Sequence, residues 1–312
     1  MPRLMRHVQG VELLIFILLL ILFPIIIFLV ILLLCSTILL CRYFAAHSNA
    51  SSEFLKEGVT MRDRMLTLLA GLVAAVVVIS LAHAPEAQAG VQPAVLVFSK
   101  TTGFRHDSIP DGIAAIQQLG ADNGFHVDAT EDSNLFTDDI LSGYQAVIFL
   151  LTTGTVLNQD QKDAFQRFIE AGNGYVGVHS ASDTEYDWVW YGQLLGAYFS
   201  SHPAIQTANV DVEDHDHLST WFLPDVWRRT DEWYNFRTNP RDSGVTVLAT
   251  LDETSYSGGT MGDDHPIMWY QEFDGGRSWY TAMGHTRESY YEDNFLECLL
   301  GGILYAIGPG GG

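Results

Sequence analysis

The chain has 312 residues, enough for one large domain or two smaller ones. It contains 16 Lys and Arg against 37 Asp and Glu, so its formal net charge is −21. Because such a surface repels phosphates, we expect no nucleic-acid partner. The apolar fraction of 48% is ordinary for a globular protein, but it averages two very different parts of the chain.

Residues 13–41 form an uncharged apolar run within a first segment, residues 1–60. About 20 apolar residues cross the core of a bilayer, so the run predicts a transmembrane helix, with Pro24 as a tolerable kink. Two interpretations of residues 1–60 remain open. They form a membrane anchor, or Met61 is the biological start and they are an over-extended reading frame.

Residues 61–89 have the three-part pattern of a secretory signal peptide: a basic start, an apolar run and an Ala-x-Ala end before Gly90. The alternative is a second transmembrane helix, with the basic loop 42–65 kept in the cytoplasm. Either way, we expect residues 90–312 to be exported to the periplasmic or extracellular side. Membrane contact is then expected only through the N-terminal hydrophobic segment, if it is retained.

Residues 90–312 are expected to fold as one domain. They hold 10 Lys and Arg, 32 Asp and Glu and all seven Trp, so their net charge is −22. Cys298 is their only cysteine, and an intrachain disulfide is therefore impossible within this segment.

Strands and helices alternate in the first half of this domain. Short apolar runs predict strands at 94–99, 125–129, 145–151 and 175–179. Helix N-caps are indicated at Ser108, Thr137 and Asn158, the last with Gln161 as a capping box. This alternation predicts a parallel sheet built from βαβ units. The second half predicts strands at 245–251, 267–273 and 278–282, the last two joined as a hairpin, and a closing helix at 295–307.

Polar residues follow several of the predicted strands, where parallel sheets bind ligands. They are Arg105, His106, Thr153, Gly154, His179, Ser180 and Asp183. In Gly177-Val178-His179-Ser180-Ala181, small residues flank His179 at the position of a nucleophile elbow. Histidine there is better suited to be a ligand or general base than a covalent nucleophile. Acyl transfer through Ser180, one position away, is kept as an alternative.

The other histidines occur in short motifs beside carboxylates or strand ends, namely His202, His265 and His285. Together they suit a mixed nitrogen and oxygen site for Zn²⁺ or Mn²⁺, although none has the close spacing of HExxH. Asp231 and Glu232 point to opposite faces if they lie on a strand, so they are not an obvious acid–base pair. The nearby aromatics Tyr186 and Tyr234 belong either to the core or to a surface that stacks sugar rings.

Five stretches within residues 94–308 resemble the ThuA-like domain family, the trehalose-utilisation family of the class I glutamine-amidotransferase-like superfamily. They are FSKTTGFRHDSI, GNGYVGVHSASDTEYDW, DEWYNF with NPR, VLATLDETSYSGGTMGDDHPIMW, and GGRSWYTAMGHT with SY. The resemblance implies an α/β, three-layer flavodoxin-like parallel sheet with an antiparallel C-terminal extension. The apolar runs of residues 1–89 predict that N-terminal hydrophobic helices precede it. It also implies sugar metabolism, with disaccharides or their 3-keto derivatives as substrates. Glutaminase activity is not expected, because His179 replaces the elbow cysteine.

The resulting hypothesis is a metal-assisted sugar hydrolase or lyase. Its catalytic residues are His179, Asp183 and His106. Its binding residues are Arg105, Thr153, Gly154, Ser180, Tyr186, Asp231, Glu232, Tyr234 and Thr286. Its metal ligands, for Zn or Mn, are His179, His202, His265 and His285. The alternative is a non-catalytic carbohydrate-binding or scaffold protein with a degenerate amidotransferase-like fold.

Overall fold

The computed structural model describes residues 92–309. The predicted membrane run at 13–41 and the signal-peptide-like segment at 61–89 lie outside the described residues. Among residues 92–309, no helix has both the length and the apolar character needed to cross a bilayer.

The first half of the described chain forms a parallel sheet, as its alternating pattern predicts. Its strands are β1 (Ala94–Phe98), β2 (His126–Thr130), β3 (Ala146–Leu150) and β4 (Gly174–Val178). They lie in the order β2-β1-β3-β4, and every neighbouring pair is parallel. The helices are α1 (Ile109–Asn123), α2 (Asp138–Leu141), α3 (Gln159–Glu170), α4 (Val189–Leu195) and α5 (Asp293–Ile307).

Helices cover both faces of this sheet, and adjacent residues of β3 show the two sides. The ring of Phe149 packs on Phe165 of α3, with centroids 5.3 Å apart. Leu150 points the other way and lies against α1 at Gly112, where a side chain would crowd it. Because both faces are covered, β3 and β4 are buried along their whole length. The three layers agree with the predicted fold.

The sheet continues beyond β4 to nine strands. Strand β11 (Gly276–Thr281) pairs parallel with β4, and the antiparallel strands that follow are β10 (Pro266–Phe273), β9 (Thr246–Leu251), β6 (Gln206–Val212) and β7 (Val226–Asp231). A separate pair consists of β5 (Phe199–Ser201) and β8 (Asn235–Phe236). The predicted hairpin is present between β10 and β11. The antiparallel part also includes β6 and β7. The apolar pattern did not predict these strands because polar residues interrupt the apolar residues along both of them.

The predicted N-caps of α3 and α1 differ in the hydrogen bonds that their side chains make. Asn158 and Gln161 form the full capping box of α3, as expected. Ser108 stands at the N-cap of α1, but its side chain makes no capping hydrogen bond. Its Oγ donates instead to the carbonyl oxygen of His285, 2.7 Å away. Ser108 therefore links the start of α1 to the loop after β11.

Replacing Asn158 by alanine is expected to lower the free energy of unfolding by about 1 kcal/mol, because the amide of Gln161 loses its capping acceptor. Urea denaturation followed by circular dichroism measures the change. Gln118→Ala on the exposed face of α1 is the control, with an expected change within about 0.5 kcal/mol. Equal effects of the two substitutions would contradict the assigned cap.

Candidate metal centre

His179 stands at the turn where β4 ends. It is fully buried and has a φ of +50°, in the left-handed region that non-glycine residues seldom adopt. A 3₁₀ turn, His179–Asp183, begins there. Two positions earlier, a Cβ on Gly177 would lie 2.7 Å from the hydroxyl of Tyr175 and 2.8 Å from the ring of Tyr280. The elbow expected from the small flanking residues is therefore present, with an imidazole at its tip.

One hydrogen bond fixes the tautomer of His179. Its Nδ1 lies 2.6 Å from the carbonyl oxygen of Ala282, which only accepts hydrogen bonds. Nδ1 therefore carries the proton, and Nε2 of a neutral ring offers a lone pair. A histidine oriented by a backbone carbonyl in this way is typical of metal ligands in proteins.

Three further side chains surround Nε2 of His179. Nδ1 of His285 is 3.2 Å away and Oε2 of Glu232 is 3.4 Å away, while the His106 ring centroid lies 5.0 Å from that of His179. Each of these four residues offers one ligand atom, and the four atoms lie within 4.8 Å of one another. We call His106, His179, Glu232 and His285 the metal cluster.

Strand topology explains how the metal cluster assembles. His106, His179 and His285 follow β1, β4 and β11, which run parallel and therefore end at the same edge of the sheet. Glu232 directly follows β7, which is the edge strand of the antiparallel half. Hydrogen bonds from Trp227 to Glu292 and from Arg229 to Ser289 hold β7 against the segment that follows His285.

Charge in the metal cluster favours an ionised carboxylate among imidazoles. Burial raises the pKa of Glu232, but hydrogen bonds and charges from His179 and His285 outweigh it, so this pKa lies below its usual value. Burial lowers the pKa of His285, and the opposing contributions of Glu232 exceed it, so this pKa is raised. His106 is different, because burial and the neighbouring histidines lower its pKa to about 2. A neutral His106 keeps a lone pair available for a cation.

His202 lies beside the metal cluster and contacts Glu232. Its Nδ1 is 3.0 Å from Oε1 of Glu232 and 2.9 Å from the carbonyl oxygen of Pro203, so this atom carries a proton and donates. The side chain is 43% exposed. His202 therefore contacts the carboxylate of Glu232 but does not belong to the four residues whose ligand atoms converge.

His265, expected as a ligand, lies outside the metal cluster. Its Nε2 donates to the carbonyl oxygen of Tyr234, 2.8 Å away, and its Nδ1 is 2.8 Å from Oε1 of Glu253. Both ring nitrogens are thus used within the fold. The ring of Tyr234 packs against that of His179 at a tilt of 35°, with centroids 4.0 Å apart, so His265 supports the metal cluster through Tyr234.

Most of the other expected binding residues make contacts within the protein. Arg105 pairs with Glu131. Asp183, which was expected to be catalytic, accepts from the hydroxyl of Tyr186 at 2.6 Å and does not belong to the metal cluster. The hydroxyl of Thr153 donates to the carbonyl oxygen of Phe104, while Thr286 caps the turn Arg287–Tyr291. The remaining contacts are those of Gly154 with Asp183 and Glu185, of Ser180 with His106 at 3.5 Å, and of Asp231 with backbone amides.

Phe104 is a site residue that the sequence pattern did not single out. Its side chain is 65% exposed, and its ring lies 4.8 Å from the ring of His106 in an edge-to-face arrangement. Hydrogen bonds from Thr153 to its carbonyl and from Gly103 to Thr153 fix the loop that carries it. Its position in the loop that follows β1, FSKTTGFRH, is the sequence feature that could have indicated Phe104 as a site residue.

The fold and the metal cluster define an α/β domain with a candidate metal centre at the carboxyl edge of its sheet. The chain belongs to the ThuA family, described as trehalose utilisation, which matches residues 94–306. Comparison with curated proteins found no relative.

Two solved structures share the fold. A ThuA-like protein from Bacteroides uniformis ATCC 8492 is 24% identical, with a TM-score of 0.60, over 70% of this chain and 93% of that one. A ThuA-like protein from Parabacteroides merdae ATCC 43184 is 18% identical, with a TM-score of 0.58, over 69% of this chain and 90% of that one.

Proposed function

We propose that the protein is a metal-dependent enzyme that acts on a carbohydrate, with a disaccharide or its keto derivative as substrate. The observation that carries the proposal is the convergence of three imidazoles and one carboxylate on a common point, with ligand atoms within 4.8 Å of one another. Three nitrogens and one carboxylate oxygen suit Zn²⁺ or Mn²⁺.

Three imidazoles and a carboxylate offer a cation four donor atoms. With Nδ1 of His179 bonded to the carbonyl oxygen of Ala282, Nε2 of this ring lies 3.4 Å from Oε2 of Glu232, and Nδ1 of His285 lies 3.0 Å from the same oxygen. When bound, a divalent ion supplies a Lewis acid that polarises a carbonyl or hydroxyl oxygen of the sugar. Glu232 keeps its negative charge because His179 and His285 lower its pKa.

Two residues at the exposed side of the metal cluster have properties suited to a substrate. Nδ1 of His202 donates to the carbonyl oxygen of Pro203, which leaves Nε2 of this exposed ring to accept or deliver a proton. Phe104 presents an apolar face beside His106, and sugar rings stack on such faces through their C–H groups. The family description as trehalose utilisation supports a disaccharide.

Turnover measurements with trehalose and 3-keto-trehalose test the enzymatic proposal. We expect activity that a chelator removes and added Zn²⁺ or Mn²⁺ restores, and that His285→Ala abolishes. His126→Ala, which changes an exposed histidine on β2, is the matched control and should remain active. Sugar binding that persists without metal and without turnover would instead support the carbohydrate-binding alternative.

Phe104→Ala is expected to weaken sugar binding about fivefold to tenfold, because one stacking surface is lost. Phe104→Trp should retain binding, and its new indole should report it through fluorescence. Trp221→Ala is the control, since Trp221 is also 65% exposed but does not contact the metal cluster. Isothermal titration with trehalose or 3-keto-trehalose measures each affinity. Unchanged affinity in Phe104→Ala would contradict the stacking role.

We also propose that this domain acts on the exported side of a membrane, because a signal-peptide-like segment at 61–89 precedes it in the sequence. Mass spectrometry of the native protein tests the proposal. A mature chain that starts at Gly90 supports secretion, and fractionation of the protein with the cytoplasm would contradict it.

A further inference from the structure

We infer that Asp231 is a positioning residue that holds two of the four cluster ligands at a fixed separation. The inference rests on the proposed metal centre and assigns a new role to a residue outside the metal cluster. Asp231 is fully buried at the end of β7, so its carboxylate has no exposed atom to offer a sugar.

The carboxylate of Asp231 accepts hydrogen bonds from the backbones of two separate segments. Its Oδ1 accepts from the amide of Glu232 at 2.9 Å and from the amide of His285 at 3.1 Å. Its Oδ2 accepts from the amide of Gly284 at 2.8 Å. The side chain of Asp231 therefore connects the end of β7 to the loop after β11. The connection lies at the backbones of Glu232 and His285, whose side chains belong to the metal cluster.

Arg229 balances the buried charge of Asp231. It lies two residues earlier on β7, on the same face, with Nη2 3.2 Å from Oδ2 of Asp231. Its guanidinium is packed between the rings of Trp227 and Phe295, at 4.8 and 4.9 Å from their centroids. Ser289 accepts a hydrogen bond from Nη2 of Arg229 and donates one to Oδ2 of Asp231.

The geometry of the ligands depends on this bridge. Oε2 of Glu232 and Nδ1 of His285 are 3.0 Å apart, although 53 positions of sequence separate these residues. Without Asp231 as their common acceptor, the amides of Glu232 and His285 would no longer be held together. The side chains of both ligands would then be less well fixed in position. Partners that orient metal ligands typically change metal affinity by about 10-fold to 100-fold when they are removed.

A purely structural role for Asp231 is the competing explanation, and Glu185 provides the matched comparison. Glu185 is also a buried carboxylate that accepts from two backbone amides, those of Val156 at 2.7 Å and Leu157 at 2.8 Å. It also contacts a cation, Nζ of Lys162, at 2.5 Å. It lies outside the metal cluster. Both carboxylates support the fold, but only Asp231 contacts the backbone of cluster ligands.

The test compares Asp231→Asn with Glu185→Gln in the full-length protein, by Zn²⁺ titration against a competing chelator and by thermal unfolding of the metal-free forms. We expect both substitutions to lower Tm. Zn²⁺ affinity should fall about 10-fold to 100-fold in Asp231→Asn and less than about threefold in Glu185→Gln.

Each outcome of this test separates the two claims. Absence of Zn²⁺ binding by the unmodified protein would overturn the proposed function and the inference with it. Tight binding by the unmodified protein and equally tight binding by Asp231→Asn would overturn the inference alone. If Asp231→Asn does not fold, Ser289→Ala takes its place, since it removes one hydrogen bond to Oδ2 and no backbone contact. A loss of about threefold is then expected, and unchanged affinity would overturn the inference.

Discussion

Replacing His179 by alanine is expected to lower the affinity for Zn²⁺ about a hundredfold. Four protein ligands together supply about 10 to 16 kcal/mol at structural zinc sites, so each accounts for about 3 kcal/mol, or roughly a hundredfold in affinity. His179 is the member of the metal cluster whose tautomer the structure fixes, through the bond from Nδ1 to the carbonyl oxygen of Ala282. Competition titration with a chelator of known affinity measures the change.

His217→Ala is the control for this prediction. His217 is also buried, but it packs between Tyr270 and Tyr305, and its Nδ1 bonds to Ser219, away from the metal cluster. Both substitutions remove a buried imidazole, so both are expected to reduce stability. Only His179→Ala should reduce Zn²⁺ affinity. Comparable affinity in the two variants would show that His179 is not a ligand.

Gly174→Ala is expected to destabilise the fold by about 3 kcal/mol, with a fall in Tm of about 6 to 12 °C. Gly174 begins β4, and a Cβ there would overlap the carbonyl group of Ala306 in α5. Helix and strand backbones are in direct contact at this point, so neither a rotamer change nor a flexible side chain can relieve the overlap. Differential scanning calorimetry measures the effect.

Gly143→Ala provides the comparison for Gly174. A Cβ at Gly143 would meet only the carbonyl oxygen of Ile140, at 3.4 Å, and this residue is exposed. Its expected effect on the free energy of unfolding is within about 0.5 kcal/mol. If Gly174→Ala were equally mild, the close packing of α5 on β4 would be disproved.

The local sequence predicts the parallel half of the fold well and the antiparallel half in part. Strands β1 and β3 are continuous apolar runs because both of their faces are buried, and this pattern is legible without a structure. In β7, by contrast, exposed and buried residues alternate, and its buried positions include Arg229 and Asp231. A strand with charged residues at its buried positions lacks the hydrophobic alternation from which strands are predicted.

The metal cluster, too, is predictable from the sequence only in part. The rule that ligands bind at the ends of parallel strands indicates His106 and His179 from the sequence. It cannot indicate that Glu232 joins them, because that depends on β7 being held against the segment after His285. His265 and His285 both occur in short motifs beside carboxylates or strand ends, so the sequence does not distinguish them. In the structure, His265 is bonded to Tyr234, whereas His285 lies beside Glu232. The two-residue spacing of Arg229 and Asp231 places them on one face only once β7 is known to be a strand, so the sequence alone does not indicate their contact.

The most direct test of the proposed metal centre is elemental analysis of the full-length protein, purified without chelators and without added metal. We expect about one equivalent of Zn or Mn per chain, a content that His217→Ala retains and His179→Ala loses. A protein that contains no stoichiometric metal, and whose Tm does not rise when Zn²⁺ or Mn²⁺ is added, would contradict the proposed metal centre.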